Sequence, residues 1–513
     1  MTIGEAVGSG AADSWERLHP RTVAVTALTM VGIVAVGGGG AAIAVAAATS
    51  LGVALMWVLP AAVLLFVVVT GYDLLRVRHT RYRVTPERLE LETGLWFRSR
   101  RSLARERIRS VDLTADPVSR MLGLVRVKAG TGETGGGEGS TTERSIDLDS
   151  LSRAAGERLR VELLRRDGAA PSDGTEPVDE RLATWRPGWL RYAPLSFVTP
   201  ALAVGLAGGI FQVAEWFGMA RVPVEMVAGL IARHGPWLVL GLGLVGFLLI
   251  GALGSLLLQA ESSWGHRLDR EPGGTLRVRR GLLVSRSLSL EEQRIRGVEI
   301  VEPLGVRMAG AARLDVIAIG LKSADSASDL TTLVPAAPRQ VAWVTADAVA
   351  GPVDAVGLLP HPLAARNRRL RRAGIATLAL AAVVFGVHLL WSPPLSWSLL
   401  TIGVAVFLAT WAWWSAFDAY ASLGHTLDGE YLVTRHGTLR RATVRLRRSG
   451  IVGWRIRQSF FQRRLGLVTV EATTAAGRGH YVIIDAAQDE GVDFAAMATP
   501  GLLDAFLDSR LDA

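Results

Sequence analysis

The chain has no cysteine among its 513 residues, which removes disulfides, cysteine-ligated zinc, iron–sulfur clusters and thiol nucleophiles from consideration. Lysine is almost missing too: Lys128 and Lys322 are the only two, and every other basic side chain is arginine. Alanine and glycine are also over-used, so arginine abundance alone says little about partners, and arginine position says more. Charged residues make up 20% of the chain, half of it is hydrophobic, and the mean hydropathy is +0.30. That composition excludes an intrinsically disordered chain, which needs low hydrophobicity. Yet the net charge is +9 and the isoelectric point about 10.5, so strongly apolar and strongly basic segments alternate.

The longest local absence is of charge. From Thr22 to Tyr72 there are 51 residues without Asp, Glu, Lys, Arg or His. A spanning helix needs about 20 apolar residues, so this run fits two spans and a turn. Two further runs, Ala193–Ala214 and Gly235–Ala260, are split by the polar-containing stretch Glu215–His234. A third region, Ala373–Phe417, is interrupted only by His388, with Ser392-Pro393-Pro394 as its turn. Ala46-Ala47-Ala48 resembles a signal-peptide cleavage site, but the apolar segment before it is long and the first 16 residues hold no basic residue. A retained helix is therefore expected. The count is six transmembrane helices in three hairpins.

Arginines cluster on one side of each hairpin: Arg76, Arg78, Arg81 and Arg83 after the first; Arg181, Arg186 and Arg191 before the second; Arg366, Arg368, Arg369, Arg371 and Arg372 before the third. The turns of the first and third hairpins carry no charge, and the middle one has Arg221 and Arg233 against Glu215 and Glu225. The positive-inside rule then places both termini and all three large polar segments in the cytoplasm of a multi-pass cell-membrane protein.

The three polar segments are one repeat. Gly94, Gly281 and Gly437 each stand 14 residues before an isoleucine, Ile108, Ile295 and Ile451. Twelve residues later come Arg120, Arg307 and Arg463, then Gly123, Gly310 and Gly466, then Val127, Leu314 and Val470. Constant offsets in three places mark a triplicated unit of hairpin plus domain. Local signals are mostly strand: Arg88–Glu92 alternates, Thr93-Gly94 turns and Leu95-Trp96-Phe97 resumes, while Tyr431–Thr434 and Ala442–Arg447 repeat the theme. Ser459–Leu465 breaks alternation as one helical turn, and Leu467–Glu471 is a strand again. Asp149-Ser150 is placed to cap a helix with Leu151, Ala155, Leu159 and Leu163 on one face.

The run Ile451-Val452-Gly453-Trp454, with Gln458-Ser459-Phe460-Phe461-Gln462-Arg463-Arg464-Leu465-Gly466-Leu467-Val468-Thr469-Val470, resembles the bacterial membrane-flanked domain, a family similar to pleckstrin-homology (PH) folds. The first repeat matches through Ile108, Val111, Arg120-Met121-Leu122-Gly123-Leu124 and Val127; the middle one departs, with Ala309 and Ala311 where the others have leucine. The resemblance implies a cytoplasmic PH-like barrel close to the bilayer and points loosely to envelope homeostasis. It supplies no catalytic residues.

The expected fold class is membrane α+β: six transmembrane helices in three hairpins, each followed by a cytoplasmic PH-like antiparallel β-barrel domain with a closing helix. The expected divisions are an N-terminal cytoplasmic segment 1–21, hairpins at 22–72, 191–260 and 373–417, and PH-like domains at 73–190, 261–372 and 418–513. The middle domain, with the weaker motif, reads as a spacer.

Charge singles out the candidate sites. Between Arg435 and Arg464 lie ten arginines and no acid. Arg440, Arg441, Arg445, Arg447, Arg448, Arg455 and Arg457, with Trp454, Phe460 and Phe461 interleaved, are candidates for docking onto anionic head groups or a membrane or cytoplasmic protein partner. Arg76–Arg109 holds eleven arginines against four glutamates. The bland alternative is a solvated positive face that enforces topology; nucleic acid has no supporting motif. His388, mid-span, is the intramembrane polar candidate. Asp73 and Asp418 end spans where hydration makes them ordinary. The glycine-rich run Gly130–Gly139 lacks the Gly-Lys-Ser/Thr ending of a phosphate loop and reads as a loop between strands. No metal, cofactor or catalytic motif stands out. The expected function is a non-catalytic, membrane-proximal binding or scaffolding platform; a transporter or exporter component is the alternative, and a membrane enzyme comes third.

Overall fold

The computed structural model describes residues 15–94, 98–108, 110–130, 145–164, 180–216, 218–219, 221–319, 331–352, 357–391 and 393–503. The chain forms two compact units, Met1–Glu292 and Gln293–Ala513.

Unit 1 opens with strand β1 (Glu16–Arg17) and helix α1 (Thr22–Ile33), which runs through a π-helical stretch, Val34–Gly38, into α2 (Gly39–Ala48). Ser50 accepts from the Val53 N–H and caps α3 (Leu51–His79). Then come β2 (Arg81–Val84), β3 (Arg88–Thr93), β4 (Ser99–Ala104), β5 (Ser110–Ala115), the short helix α4 (Pro117–Met121), β6 (Leu124–Gly130), β7 (Ser145–Ser152) and α5 (Arg153–Leu164). The second repeat starts with β8 (Glu180–Thr184), α6 (Val198–Trp216), α7 (Arg221–His234) and α8 (Pro236–Ser263), followed by β9 (Arg267–Glu271), β10 (Thr275–Arg280) and β11 (Ser285–Glu291).

Unit 2 holds β12 (Ile295–Pro303), α9 (Leu304–Met308), β13 (Ala311–Ala318), β14 (Thr332–Pro338) and α10 (Arg339–Ala350), then α11 (Leu363–Trp391) and α12 (Leu395–Ala421). The third repeat adds β15 (Gly424–Asp428), β16 (Tyr431–His436), β17 (Arg440–Arg447), β18 (Ile451–Arg457), α13 (Phe460–Arg463), β19 (Leu467–Thr474), β20 (His480–Ala487) and α14 (Gln488–Ala498).

Six helical segments, Thr22–Ile43, α3, Val198–Glu215, α8, α11 and α12, are long and apolar enough to cross a membrane. In unit 1, α1 and α2 pack on α3, and α6 packs on α8; in unit 2, α11 packs on α12. Side chains such as Trp57 and Leu390 are 70% and 89% exposed. In water such a surface would drive aggregation, whereas in hydrocarbon it is the lipid-facing side. The stretch between α6 and α8, expected as a polar interruption, contains a helix of its own, α7, with no buried residue.

All sheets are antiparallel, and the expected barrel does not close. Unit 1 has a four-stranded sheet, β1-β2-β3-β4, and a seven-stranded one, β7-β6-β5-β11-β10-β9-β8. Unit 2 has a six-stranded sheet, β14-β13-β12-β17-β16-β15, and a three-stranded one, β18-β19-β20. A 3₁₀ turn interrupts each repeat at one place, Arg105–Arg107, Glu292–Arg294 and Arg448–Gly450. After the turn the last three strands leave the first ones. In unit 1, β5 pairs with β11 of the following repeat, and in unit 2 β12 pairs with β17. Gly297 makes the second pairing possible, since a Cβ there would lie 2.0 Å from the Arg445 carbonyl oxygen. The strands of the middle repeat complete a sheet in each unit.

Each core lies between two half-sheets. In the first repeat, Leu89, Leu91 and Leu103 face Val111, Leu113 and Val127, and Leu159 and Leu163 of α5 close the end. In the third, Leu432, Val444 and Leu446 face Val468, Val470 and Ile483 under Phe494 of α14. Burying each such side chain contributes about 1.5–3 kcal/mol.

The repeat landmarks have common roles. Gly94, Gly281 and Gly437, and Gly123, Gly310 and Gly466, all have positive φ, where a side chain is strained. Val127, Leu314 and Val470 are fully buried, and Arg120, Arg307 and Arg463 lie in the last turns of α4, α9 and α13. One cap moves: β7 bulges at Ser150, whose φ is 61°, so the strand continues to Ser152 and Ser152 Oγ accepts from the Ala155 N–H at 3.2 Å.

Candidate membrane-docking face

The seven candidate arginines do not share one surface. Arg440 reaches Glu299 at 3.2 Å, and Arg441 bonds Ser422 Oγ at 3.0 Å and Asp418 at 3.3 Å. Arg445 is 1% exposed, bonds Asp347 at 2.6 Å and lies over the Trp343 ring. Arg447 donates to the Tyr431 hydroxyl at 3.1 Å, and Arg448 donates to the Ala498 and Met497 carbonyls, satisfying the end of α14. Arg455 and Arg457 remain outward, 64% and 60% exposed, sharing Glu471 at 3.6 and 3.4 Å.

These last two belong to an exposed edge. Among the described residues β18 has a partner on one side only, β19, and it presents Val452 and Ile456 to the outside. Alternation ends at Gln458. Ser459 Oγ then accepts from the Gln462 N–H while Gln462 Oε1 accepts from the Ser459 N–H, a capping box that fixes α13. The turn projects Phe460 and Phe461, 62% and 67% exposed, and Arg464 lies 4.5 Å from the Phe460 ring centroid. An edge strand with two arginines is guarded against pairing with other chains; two adjacent exposed phenylalanines are not explained by that.

The next residues join the domain to its spans. Leu465 and Leu467 pack with Ala364 and Ala365 of α11, Tyr420 of α12 and Leu423. Beside them Asp485, fully buried with φ 60°, accepts from Arg368 and from Gln462 at 2.8 Å and forms an ion pair with Arg369 at 2.7 Å. His361 bonds the Asp485 carbonyl at 3.1 Å and His425 at 3.0 Å, and the Tyr420 hydroxyl donates to the His361 carbonyl. Burial, reinforced by His361, holds His425 at a pKa of about 4, so this pair is neutral. Sequence reasoning missed Asp485 and His361; the arginine pair at the start of α11 was the available signal for a buried carboxylate partner.

Carboxylates near the ends of the second spans are anchors rather than hydrated bystanders. Asp73 accepts from Thr26 at 2.7 Å and Arg76 at 3.2 Å. Glu261 accepts the N–H groups of Leu283 and Val284, both at 2.9 Å. Asp418 takes Arg307 at 3.0 Å and Arg441. In the first repeat, the bulge of β7 adds Asp149, bonded to Arg126 at 2.6 Å and Arg76 at 3.3 Å. In the arginine-rich segment before it, Glu90 sits between Arg100 and Arg83, whose hydrogen bonds hold it below the usual carboxylate range.

His388 lines a cavity of about 400 Å³ between α11 and α12, otherwise apolar apart from Thr377. Its Nδ1 bonds the Val384 carbonyl at 2.8 Å, and its Nε2 has no partner among the described residues. Among the described residues no group of three or more His, Asp or Glu is placed to hold a metal ion. The glycine-rich run beyond Gly130 lies outside the described residues.

No curated protein and no solved structure matches the chain. The family model of the bacterial PH domain matches residues 29–167 and 373–497, together just over half of the sequence. Each match runs from a pair of apolar helices through the domain that follows. The middle repeat lies outside both, although it repeats the strand order and the short helix of the other two. The chain belongs to the bacterial PH domain family.

Proposed function

We propose that the chain is a non-catalytic, multi-pass membrane protein whose PH-like domains form a binding and scaffolding platform on the cytoplasmic surface, with the third repeat seated on anionic head groups. The observation that carries this reading is the exposed set Val452, Ile456, Phe460 and Phe461, flanked by Arg455, Arg457 and Arg464. It adjoins the cluster where Leu465 and Leu467 pack on α11 and α12. A domain tethered by two spans has its membrane side set by where the spans enter. Aromatic rings favour the headgroup level, and each basic residue near an anionic leaflet contributes about 1 kcal/mol. The arginine asymmetry of the hairpins supports cytoplasmic termini. A place in envelope homeostasis fits such a platform, and no phosphoinositide preference follows from the fold.

The cysteine-free sequence makes the test direct. Phe461→Cys in the full chain is labelled with an environment-sensitive fluorophore and placed in nanodiscs of anionic or zwitterionic lipid. An apolar signal that needs anionic lipid, fades with salt and weakens in Arg455→Ala/Arg457→Ala is expected. A water-like signal in every lipid would sink the proposal and turn the search to a protein partner.

Transport or export has one observation behind it, the unpartnered Nε2 of His388 in its cavity. Unchanged phenotype in His388→Ala would remove that support.

A further inference from the structure

A second cationic feature of unit 2 is separate from the docking face and shares no residue with it. Between α10 and strands β16 and β17 lies a pocket of about 550 Å³, lined by Arg339, Trp343, Leu358, Arg435, Thr443 and Arg445, among others. That volume is in the range of small-molecule sites. Its polar groups are incompletely used. Trp343 Nε1, Thr443 Oγ1 and Arg445 Nε and Nη2 are buried and have no hydrogen-bond partner among the described residues. Thr443 and Arg445 are 2% and 1% exposed, and a buried unsatisfied donor is costly.

Charge is incompletely matched as well. Arg339 is 3.2 Å from Glu302, and Arg445 is 2.6 Å from Asp347. Among the described residues Arg435 has one hydrogen bond, to the Ser422 carbonyl at 3.3 Å, and burial pushes its pKa below the usual arginine range against the opposing charge of Glu302.

Unit 1 supplies an internal comparison. The corresponding position, between α5 and strands β10 and β11, forms a pocket of about 370 Å³ that includes Arg153, Glu157, Arg277, Arg279 and Ser287. Arg153 and Arg339 occupy the same place: each donates its N–H to the turn glycine of its repeat, Gly123 or Gly310. The repeat offset pairs Arg279 with Arg435 and Ser287 with Thr443. Glu157, however, stands where unit 2 has Trp343. That glutamate accepts from Arg277, and from Arg160 at 2.8 Å. Unit 1 thus carries its own anion, and unit 2 has an indole there instead.

We propose that the unit 2 pocket binds a phosphate group borne by a partly apolar molecule. Guanidinium forks suit the several oxygens of a phosphate, the indole and hydroxyl add neutral donors, and Leu358, Val433 and the Trp343 face take the apolar part. Two sources share this chemistry, a phospholipid head group and a soluble phosphorylated compound.

The test uses the full chain, stripped of lipid in non-ionic detergent, titrated in a calorimeter with inorganic phosphate, dihexanoyl phosphatidic acid and uncharged dihexanoylglycerol. One phosphate-bearing probe per chain is expected to bind. Trp343→Glu, which installs the unit 1 carboxylate, and Thr443→Val are expected to weaken it at least tenfold. Trp343→Phe, which removes the N–H and keeps a smaller aromatic ring, is the milder change at that position, and thermal unfolding checks all three. Phosphatidic acid at least tenfold tighter than phosphate assigns the lipid source; equal affinity assigns the soluble one. The proposal is overturned if neither phosphate probe binds the folded wild-type chain, if the uncharged probe binds as well, or if folded variants bind unchanged. None of these outcomes depends on where the Phe461 label sits.

Discussion

Asp485 ties the third repeat to the start of α11. Two guanidinia and one amide converge on a carboxylate with no exposure. Removing one partner of a buried ion pair costs about 3–5 kcal/mol. Asp485→Ala is therefore expected to lower the unfolding midpoint in detergent sharply, and Asp485→Asn, which keeps the bond to Gln462, to do so less. His425 and His436 make a second expectation. Burial holds both at about 4, against 6.5 in the unfolded chain, with His361 beside the first and Arg478 and Arg440 near the second. A folded-state pKa below the unfolded value gives stability that is complete above 6.5 and lost as pH falls towards the folded value. The loss is up to about 1.4 kcal/mol per pH unit for each histidine. The unfolding midpoint should fall between pH 7 and pH 5, and His425→Gln or His436→Gln should shrink that difference. Neither group was legible beforehand as a core residue. Arg445 shows why: in the alternating run Ala442–Arg447 it reads as surface, and it is buried by α10, about a hundred residues earlier.

At the scale of elements, hydropathy and period were enough for the spans, for β3, β16, β17 and β19, and for the helical turn at Ser459–Leu465. They were not enough for strand partners. Alternation tells which face of a strand is apolar and is silent on its neighbours, so the pairing of β5 with β11 and of β12 with β17 left no local trace beyond Gly297. The capping box of α13 is the element-level feature open to a direct test. Ser459→Ala should cost about 1 kcal/mol, seen as a lower unfolding midpoint. It should also broaden the Phe461 label's signal, because the turn that aims both rings has lost its lock.

For the molecule as a whole, the pairing of half-sheets limits what can be cut out. A fragment of residues 421–513 keeps most of the third core, without Ile317 of β13, and bares β17, whose partner β12 lies outside it. Exposed strand edges recruit other chains, so this fragment is expected to elute as oligomers in size-exclusion chromatography, whereas the full chain in detergent does not gain that edge. The sequence repeat and the structural repeat are also out of step: one runs from hairpin to domain, the other from one 3₁₀ turn to the next. That offset has a consequence for ancestry. A closed barrel can be duplicated or lost as a self-sufficient module. Here, inserting or deleting one copy at the 3₁₀ turns leaves the ends of the array as they were, while the new neighbours inherit matching partners. Copy number is then free to drift along a lineage, and a middle copy can diverge beyond sequence recognition while its backbone still holds its place in the ladder.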